Sequence, residues 1–159
     1  MSASVVSGSR LRLDFDIAAV ADKPLMAHLA TASPDGPRDS PVWFLFEADC
    51  FWLIGTTGDS FVKRLQAEPR CALGIVDFNA EAGILRHVGV RGTAVIGPIQ
   101  PDRLHRLLAR YLGPDESAWN AWFQANLVEP LDVMIEVTPS STVAKDVSFF
   151  RTGPALASG

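Results

Sequence analysis

The sequence has few of the features that several classes of protein require. Its two cysteines, Cys50 and Cys71, form no Cys-x-x-Cys pair, so neither a disulfide scaffold nor a zinc site of the usual spacing is predicted. Its 14 basic residues against 18 acidic ones leave a net charge of −4, which disfavours a nucleic-acid binder. No apolar run approaches the ~18 residues of a membrane span, and the N-terminus lacks a signal-peptide pattern. We therefore expect a cytoplasmic protein with no nucleic-acid or membrane partner.

The usual motifs of catalysis are also missing. There is no Gly-x-Gly-x-x-Gly for a dinucleotide, no Gly-Lys-Ser/Thr phosphate loop and no Gly-x-Ser-x-Gly nucleophile elbow. The histidines His28, His87 and His105 are not at metal-ligand spacing and are each predicted to lie on a different element. No metal site is predicted, and no side chain stands out as a catalytic acid or base.

What the sequence does contain is typical of one globular domain. Apolar residues make up 48 % of the 159 positions and charged residues 20 %, and a chain of this length can bury a core without disulfides. We predict a flexible N-terminal arm over residues 1–13, a single domain over 14–151 and a disordered tail over 152–159.

Turn residues and hydrophobic periodicity predict an α+β fold with an antiparallel sheet. "SPDG" and "EAD" interrupt an apolar region, which favours three hairpin-connected strands at about 25–33, 38–48 and 50–56. Two later strands are predicted at "CALGIVDF" and "ILRHVGVRGTAVIGPI", and the segment from 131 to 150 is predicted to form one strand, a Pro-Ser turn and another strand. Helices are predicted at "DFDIAAVADKP", "DSFVKRLQAEP", "PDRLHRLLARYLG" and "DESAWNAWFQANL". Closing such a sheet into a barrel would remove its exposed edges.

The segment "GTTGDSFVKRL", Gly55 to Leu65, combines glycines, hydroxyls and a lysine where a strand is predicted to meet a helix. One interpretation is a phosphate site, because N–H groups at a helix start attract anions and hydroxyls and an ammonium add hydrogen bonds. The other is ordinary capping by Asp59 or Ser60. Lys63 in the first helical turn is unfavourable for the helix dipole, which favours a nearby anion. The pattern leaves both interpretations open.

A second candidate is "PRDSPVWF", Pro37 to Phe44. Because proline cannot donate to the strand ladder, Pro41 leaves a gap where a ligand could meet the backbone of Val42 and Trp43. A plain edge strand explains the same proline.

Taken in order, these segments resemble a known family. "LATASPDGPRDSPVWFLFEADCFWLIGTTGDSFVKRLQAEPRCALGIVDF", "VGVRGTAVI" and "VMIEVTPSSTVAKD" are similar to the pyridoxamine 5'-phosphate oxidase-like, FMN-binding split-barrel family. The resemblance covers roughly residues 16–150. It implies a six-stranded antiparallel split β-barrel with short flanking helices that forms a homodimer, with FMN in a groove at the subunit interface.

The resemblance also implies where the cofactor binds. Thr56, Thr57, Ser60 and Lys63 would surround the phosphate, and the backbone near Pro41 would face the flavin ring. The full set of cofactor-binding residues expected on this basis is Arg38, Ser40, Pro41, Val42, Trp43, Thr56, Thr57, Ser60, Phe61 and Lys63.

The sequence departs from the true oxidase of this family. Ser60-Phe61 stand where that enzyme has an Arg-Lys pair, and "AKDVSFFR" lacks its basic substrate-binding motif. Oxidation of pyridoxamine phosphate is therefore not expected. We expect an FMN-dependent oxidoreductase acting on an unidentified small molecule. The alternatives are a deazaflavin-dependent reductase on the same fold, or a non-catalytic module that binds flavin or haem.

Overall fold

The structure is a computed structural model that describes residues 10–126 and 132–150. Its strands are β1 Arg10–Leu13, β2 Ala27–Thr31, β3 Arg38–Val42, β4 Leu45–Glu47, β5 Cys50–Gly55, β6 Arg70–Asn79, β7 Ile84–Gly97 and β8 Val133–Asp146. Its helices are α1 Ala18–Ala21, α2 Ser60–Ala67, α3 Pro101–Leu112 and α4 Ala121–Asn126, with a short 3-10 helix at Glu116–Ala118.

One sheet contains every strand, in the order β3-β2-β6-β7-β8-β5-β4. All neighbours along this order are antiparallel, and β1 adds a parallel pairing to the second half of β8. The outermost strands β3 and β4 are consecutive in the chain and only two residues apart, so the sheet has to curl back on itself. The predicted split barrel is confirmed, with more strands than the six expected.

The interior of the curled sheet holds the main core. On β2, Ala27, Leu29 and Thr31 are buried while His28 is exposed, which is the alternation of a strand with one face inward. The same pattern continues along β6, β7 and β8. The barrel therefore has a buried apolar inner face, whereas its outer face carries small and polar residues together with exposed Val76, Phe78 and Val95.

A second apolar cluster lies under α3. Leu104, Leu107 and Leu108 are buried on the face predicted from their spacing and pack with Trp52 of β5. Arg103 stacks on the Trp52 ring at 3.6 Å and also donates a hydrogen bond to Glu47. Hydrogen bonds from the Arg106 guanidinium, and to a smaller extent from Arg103, hold the pKa of Glu47 below its usual range.

Three predicted elements differ in the structure. The strand expected at about 38–48 is interrupted at Trp43 and Phe44, and its two parts, β3 and β4, lie at opposite ends of the strand order. Residues 133–146 form one continuous strand, not two strands and a turn, because β7 pairs with the chain on both sides of Pro139, with a register shift between Arg91 and Gly92. The predicted helix from Asp115 is divided into the 3-10 helix and α4, since Trp119 adopts an extended backbone with its ring buried.

The limits of the predicted domain also change. Residues 10–13 of the predicted flexible arm pair with β8 as β1. Residues 1–9 of the arm, and the predicted tail 152–159, lie outside the described residues. None of the helices in the described segments has the length and apolar character needed to cross a bilayer.

Candidate functional site

The turn between β5 and α2 is closed by an aspartate. Asp59 occupies the residue before α2, but its carboxylate accepts the Thr56 N–H at 2.8 Å and makes no bond to the helix. The side-chain cap predicted from Asp59 or Ser60 is therefore absent. Asp59 stabilises the turn instead, and the first turn of α2 has no side-chain acceptor from this residue.

A second carboxylate reaches the same turn from the start of β8. The Thr57 N–H donates to Asp132 Oδ1 at 2.8 Å, and the Thr57 hydroxyl donates to Oδ2 at 2.7 Å. These two bonds hold the pKa of Asp132 below its usual range. Thr56 and Thr57 were predicted to surround a phosphate. Instead, their N–H groups and the Thr57 hydroxyl donate to carboxylates of the chain itself.

Two cations follow on α2. Lys63 is exposed and has no ion pair within the described part of the chain. Arg64 is half-buried, and its Nε donates to the Thr31 hydroxyl at 2.7 Å while its Nη2 donates to the Ser40 hydroxyl at 3.1 Å. Among the described residues, no carboxylate neutralises either charge. Arg64 connects α2 to β2 and β3, and sequence reasoning missed it because the contact depends on a register that no local pattern reveals.

The predicted residues of β3 divide between surface and core. Arg38 and Pro41 are exposed, Ser40 is half-buried and Val42 is in the main core. Because β3 is an outermost strand, the edge-strand interpretation of Pro41 is confirmed, and Pro41 lies directly opposite His28 of β2.

The aromatic members of the predicted set serve packing. The Trp43 ring stacks on Tyr111 at 4.5 Å between ring centroids and on Phe123 at 5.5 Å. Phe61 packs against the main core, and a Cβ added to Gly55 would lie 2.9 Å from its ring. Ser60, in contrast, is exposed at the start of α2. The side chains of Trp43 and Phe61 are half-buried by these contacts.

A groove of about 530 Å³ crosses the outer face of β1, β8, β7, β6 and β2. We name it the outer groove. Its floor consists of small residues paired across the strands, Ala30 with Ala72 and Gly74 with Gly89. The other side chains that contribute to its walls include Arg12, His28, His87, Arg91, Ser141 and Val143.

A second cavity of about 470 Å³ shares Ala30, Ala72 and Arg91 with the outer groove, so the two are continuous. It extends along the sheet to Thr31 and Arg70. The sequence did not predict either cavity, since the small residues that form the floor come from three strands and are unremarkable in each one.

This architecture is accompanied by a match to a known protein family. The model of the family described as pyridoxamine 5'-phosphate oxidase matches residues 14–145, which is most of the chain. The chain belongs to this family. No protein of curated function matches the sequence.

Solved structures agree on the fold. A structure described as an F420 reductase is 26 % identical, with a TM-score of 0.63 over 82 % of this chain and 98 % of that one. The conserved hypothetical protein Rv2991 from Mycobacterium tuberculosis is 23 % identical, with a TM-score of 0.67 over 96 % and 98 %. An FAD-binding protein from Mesorhizobium loti is 15 % identical, with a TM-score of 0.58 over 82 % and 91 %. The family fold thus carries ring cofactors of the flavin type in proteins with different functions.

The residues present fit such a cofactor in part. Lys63 and Arg64 supply positive charge without a competing carboxylate partner in the described segments, and the groove floor lacks bulky side chains. Thr56 and Thr57 fit less well, because Asp59 and Asp132 already accept their N–H groups. Lys63 and Arg64 line neither cavity, and Arg64 is connected to the second one through Thr31, which lines it and accepts from Arg64 Nε.

Proposed function

We propose that this protein is an oxidoreductase that binds a flavin-type cofactor in the outer groove and uses it to reduce or oxidise a small molecule. The observation that carries the proposal is the outer groove itself, a wide channel with a small-residue floor beside the edge strand β3. Membership of the family supports the same class of cofactor. When bound, the cofactor would supply the electron chemistry, and the protein would bind, orient and shield it.

The residues have distinct roles in this proposal. Lys63 and Arg64 attract the anionic tail of the cofactor, and Arg64 is held in place by its two hydroxyl partners. The backbone beside Pro41 meets the polar edge of the ring, because proline leaves one ladder position of β3 without a donor. Ala72 and Gly74 have no bulky side chain, so the floor of the groove leaves room for a flat ring.

We propose further that the cofactor lies between two subunits. The outer groove is open along one side, and Leu11 at its border is 63 % exposed in the isolated chain. A second copy placed against this face would bury the apolar surface and exclude water from the ring. The groove would then become an enclosed site.

A deazaflavin of the F420 type is the better supported cofactor. Its tail is longer and more acidic than that of FMN, so it requires basic groups spread along a path. Arg91 lies where the two cavities join, and Arg12 lines the first. Arg70 lines the second but is paired with Glu68 at 2.8 Å, so it would have to exchange that partner for the tail. The 26 % identity to an F420 reductase points the same way. FMN remains the second candidate, because Lys63 and Arg64 are adjacent and suit a single terminal phosphate.

The test is a pair of spectroscopic titrations of the purified full-length protein, one with FMN and one with F420. The expected result is saturable binding of F420, with weaker binding of FMN. The loaded protein is then reduced without air and mixed with a panel of small acceptors.

Each outcome has a consequence. Tighter binding of FMN would replace the deazaflavin but keep the flavin-type function. Binding without any acceptor reacting faster than with the free reduced cofactor would make the protein a non-catalytic binding module. Failure of both ligands to bind would contradict the proposal.

A further inference from the structure

Asp132 reaches the turn between β5 and α2 from a distant part of the chain, 75 positions beyond Thr57. Its two carboxylate oxygens are used one each, because Oδ1 accepts the Thr57 N–H at 2.8 Å and Oδ2 accepts the Thr57 hydroxyl at 2.7 Å. A phosphate at a strand-to-helix turn uses the same kinds of donor, a backbone N–H and a hydroxyl. The carboxylate therefore occupies both donors that Thr57 could offer to a phosphate.

We propose that Asp132 is a specificity-determining residue that acts as an internal anion: by using both donors of Thr57, it disfavours cofactors that end in a phosphate monoester. The inference deepens the proposed function and rests on it for the class of cofactor. It names the chemical feature that this chain selects against, the terminal phosphate of FMN. It also gives a physical reason why F420 should bind more tightly than FMN.

The charges in the turn support this role. Asp59 holds a second carboxylate in the same turn, where it accepts the Thr56 N–H at 2.8 Å. In the described segments, no cation forms an ion pair with Asp59 or Asp132. A phosphate at Thr57 would have to displace Asp132 and would bring its own negative charge beside Asp59, and like charges a few ångströms apart repel each other.

The two carboxylates differ in what their removal would do. Asp59 belongs to the turn itself, and its Oδ2 would lie only 3.1 Å from a Cβ added to Gly55. Asp132 is exposed and contacts the turn only through Thr57, which is also exposed. Neutralising Asp132 should therefore release the Thr57 donors and leave the turn intact. Lys63, in the first turn of α2 and without an ion pair in the described segments, would then add an attractive charge.

The path proposed for the tail of F420 does not use these donors. Thr57 and Asp132 line neither the outer groove nor the second cavity, whereas Arg91 lines both and Arg12 lines the first. A tail that follows these arginines has no need of the Thr57 N–H or hydroxyl. Asp132 is therefore expected to discriminate between the two cofactors and not to weaken both.

The first experiment titrates inorganic phosphate into the full-length protein and follows the backbone amide signals by NMR. Asp132→Asn removes the charge and keeps the shape of the side chain, and Asp132→Ala removes the acceptor as well. Asp49→Asn is the matched control, because it neutralises an exposed aspartate in the turn at the other end of β5. The amide signals of Thr57 and Gly58 should shift saturably in both Asp132 variants. The same phosphate concentrations should leave them unchanged in wild type and in Asp49→Asn.

The second experiment titrates FMN, riboflavin and F420 into wild type and the same variants, with fluorescence as the measurement. Riboflavin has the ring of FMN without its phosphate. Asp132→Asn should raise the affinity for FMN about 10-fold or more, the usual contribution of a hydrogen bond to a charged group. Its affinities for riboflavin and F420 should equal those of wild type.

The failures are distinguishable. If no cofactor binds wild type or the variants, the proposed function fails, and the phosphate titration alone decides the role of Asp132. If cofactor binds but Asp132→Asn and wild type have equal affinity for FMN, only the role of Asp132 is overturned. An equal gain for riboflavin, or the same gain in Asp49→Asn, would also overturn it, because the effect would not depend on a phosphate at Thr57. Loss of the folded NMR spectrum in both Asp132 variants would make Asp132 a structural residue and overturn the inference.

Discussion

Lys63 and Arg64 are consecutive residues with different environments. Arg64 is half-buried and held by two hydroxyls, so its removal would leave Thr31, which is 2 % exposed, without its partner. Lys63 projects from α2 without an ion pair in the described segments, so its removal costs the folded chain little. Lys63 is thus the residue whose substitution separates binding from stability.

Substituting Lys63→Ala should weaken cofactor binding about 10- to 150-fold, since a hydrogen bond to a charged group contributes about 1.5–3 kcal/mol. The measurement is a spectroscopic titration with FMN and F420 beside a thermal unfolding curve. Lys23→Ala is the control for affinity, which it should leave unchanged. Because its partner Asp77 is only 14 % exposed, this variant should lose some stability. Unchanged affinity in Lys63→Ala would remove this lysine from the site.

At the scale of elements, the pairing of β7 with β8 depends on one glycine. The register of the two strands shifts between Arg91 and Gly92, so that Gly92 faces Pro139. A Cβ at Gly92 would lie 2.5 Å from the Thr138 carbonyl oxygen and 3.1 Å from the Val137 side chain. Gly92 therefore marks a bulge at which the backbones of the two strands approach closely.

Gly92→Ala should lower the free energy of unfolding by about 1–3 kcal/mol, because backbone must move to admit the methyl group. Gly97→Ala, at the end of the same strand, is the matched control. No atom lies within 4 Å of the Cβ it would add, so a change within about 0.5 kcal/mol is expected. Urea unfolding monitored by tryptophan fluorescence measures both variants. Equal stabilities of the two would show that the strands adjust without cost.

For the whole molecule, the open side of the outer groove predicts a dimer. The groove crosses five strands, and Leu11 at its border is 63 % exposed in the isolated chain. Stable interfaces of obligate dimers bury about 2,000 Å² or more. This face can bury such an area only against a second large surface.

Sedimentation equilibrium should therefore give twice the chain mass of 17.2 kDa. Cofactor should bind with one site per chain, and dilution below the dimer dissociation constant should release it. A species of 17.2 kDa that still binds one cofactor would contradict both the dimer and the shared site.

The elements themselves could be predicted because their causes are local. Pro101 at the start of α3, Gly113 after its end and leucines at helical spacing define that helix without reference to the rest of the chain. The turn at 34–36 and the alternation along β2 do the same for the first hairpin. The family resemblance then indicated the curled antiparallel sheet.

The site could be predicted only in part, because its contacts join residues far apart in the chain. Thr57 and Asp132 are 75 positions apart, and Arg64 meets Thr31 from 33 positions away. His28 and Asp39 meet only because β2 and β3 pair in one particular register.

The sequence by itself determined α2, α3, the first hairpin and the antiparallel class, since periodicity and turn chemistry act over a few residues. Tertiary structure alone decided which carboxylates accept hydrogen bonds from Thr56 and Thr57, and which hydroxyls Arg64 contacts. It also decided which small residues form the floor of the groove. These depend on strand order and register, and such long-range pairings are selected by burial of the whole core.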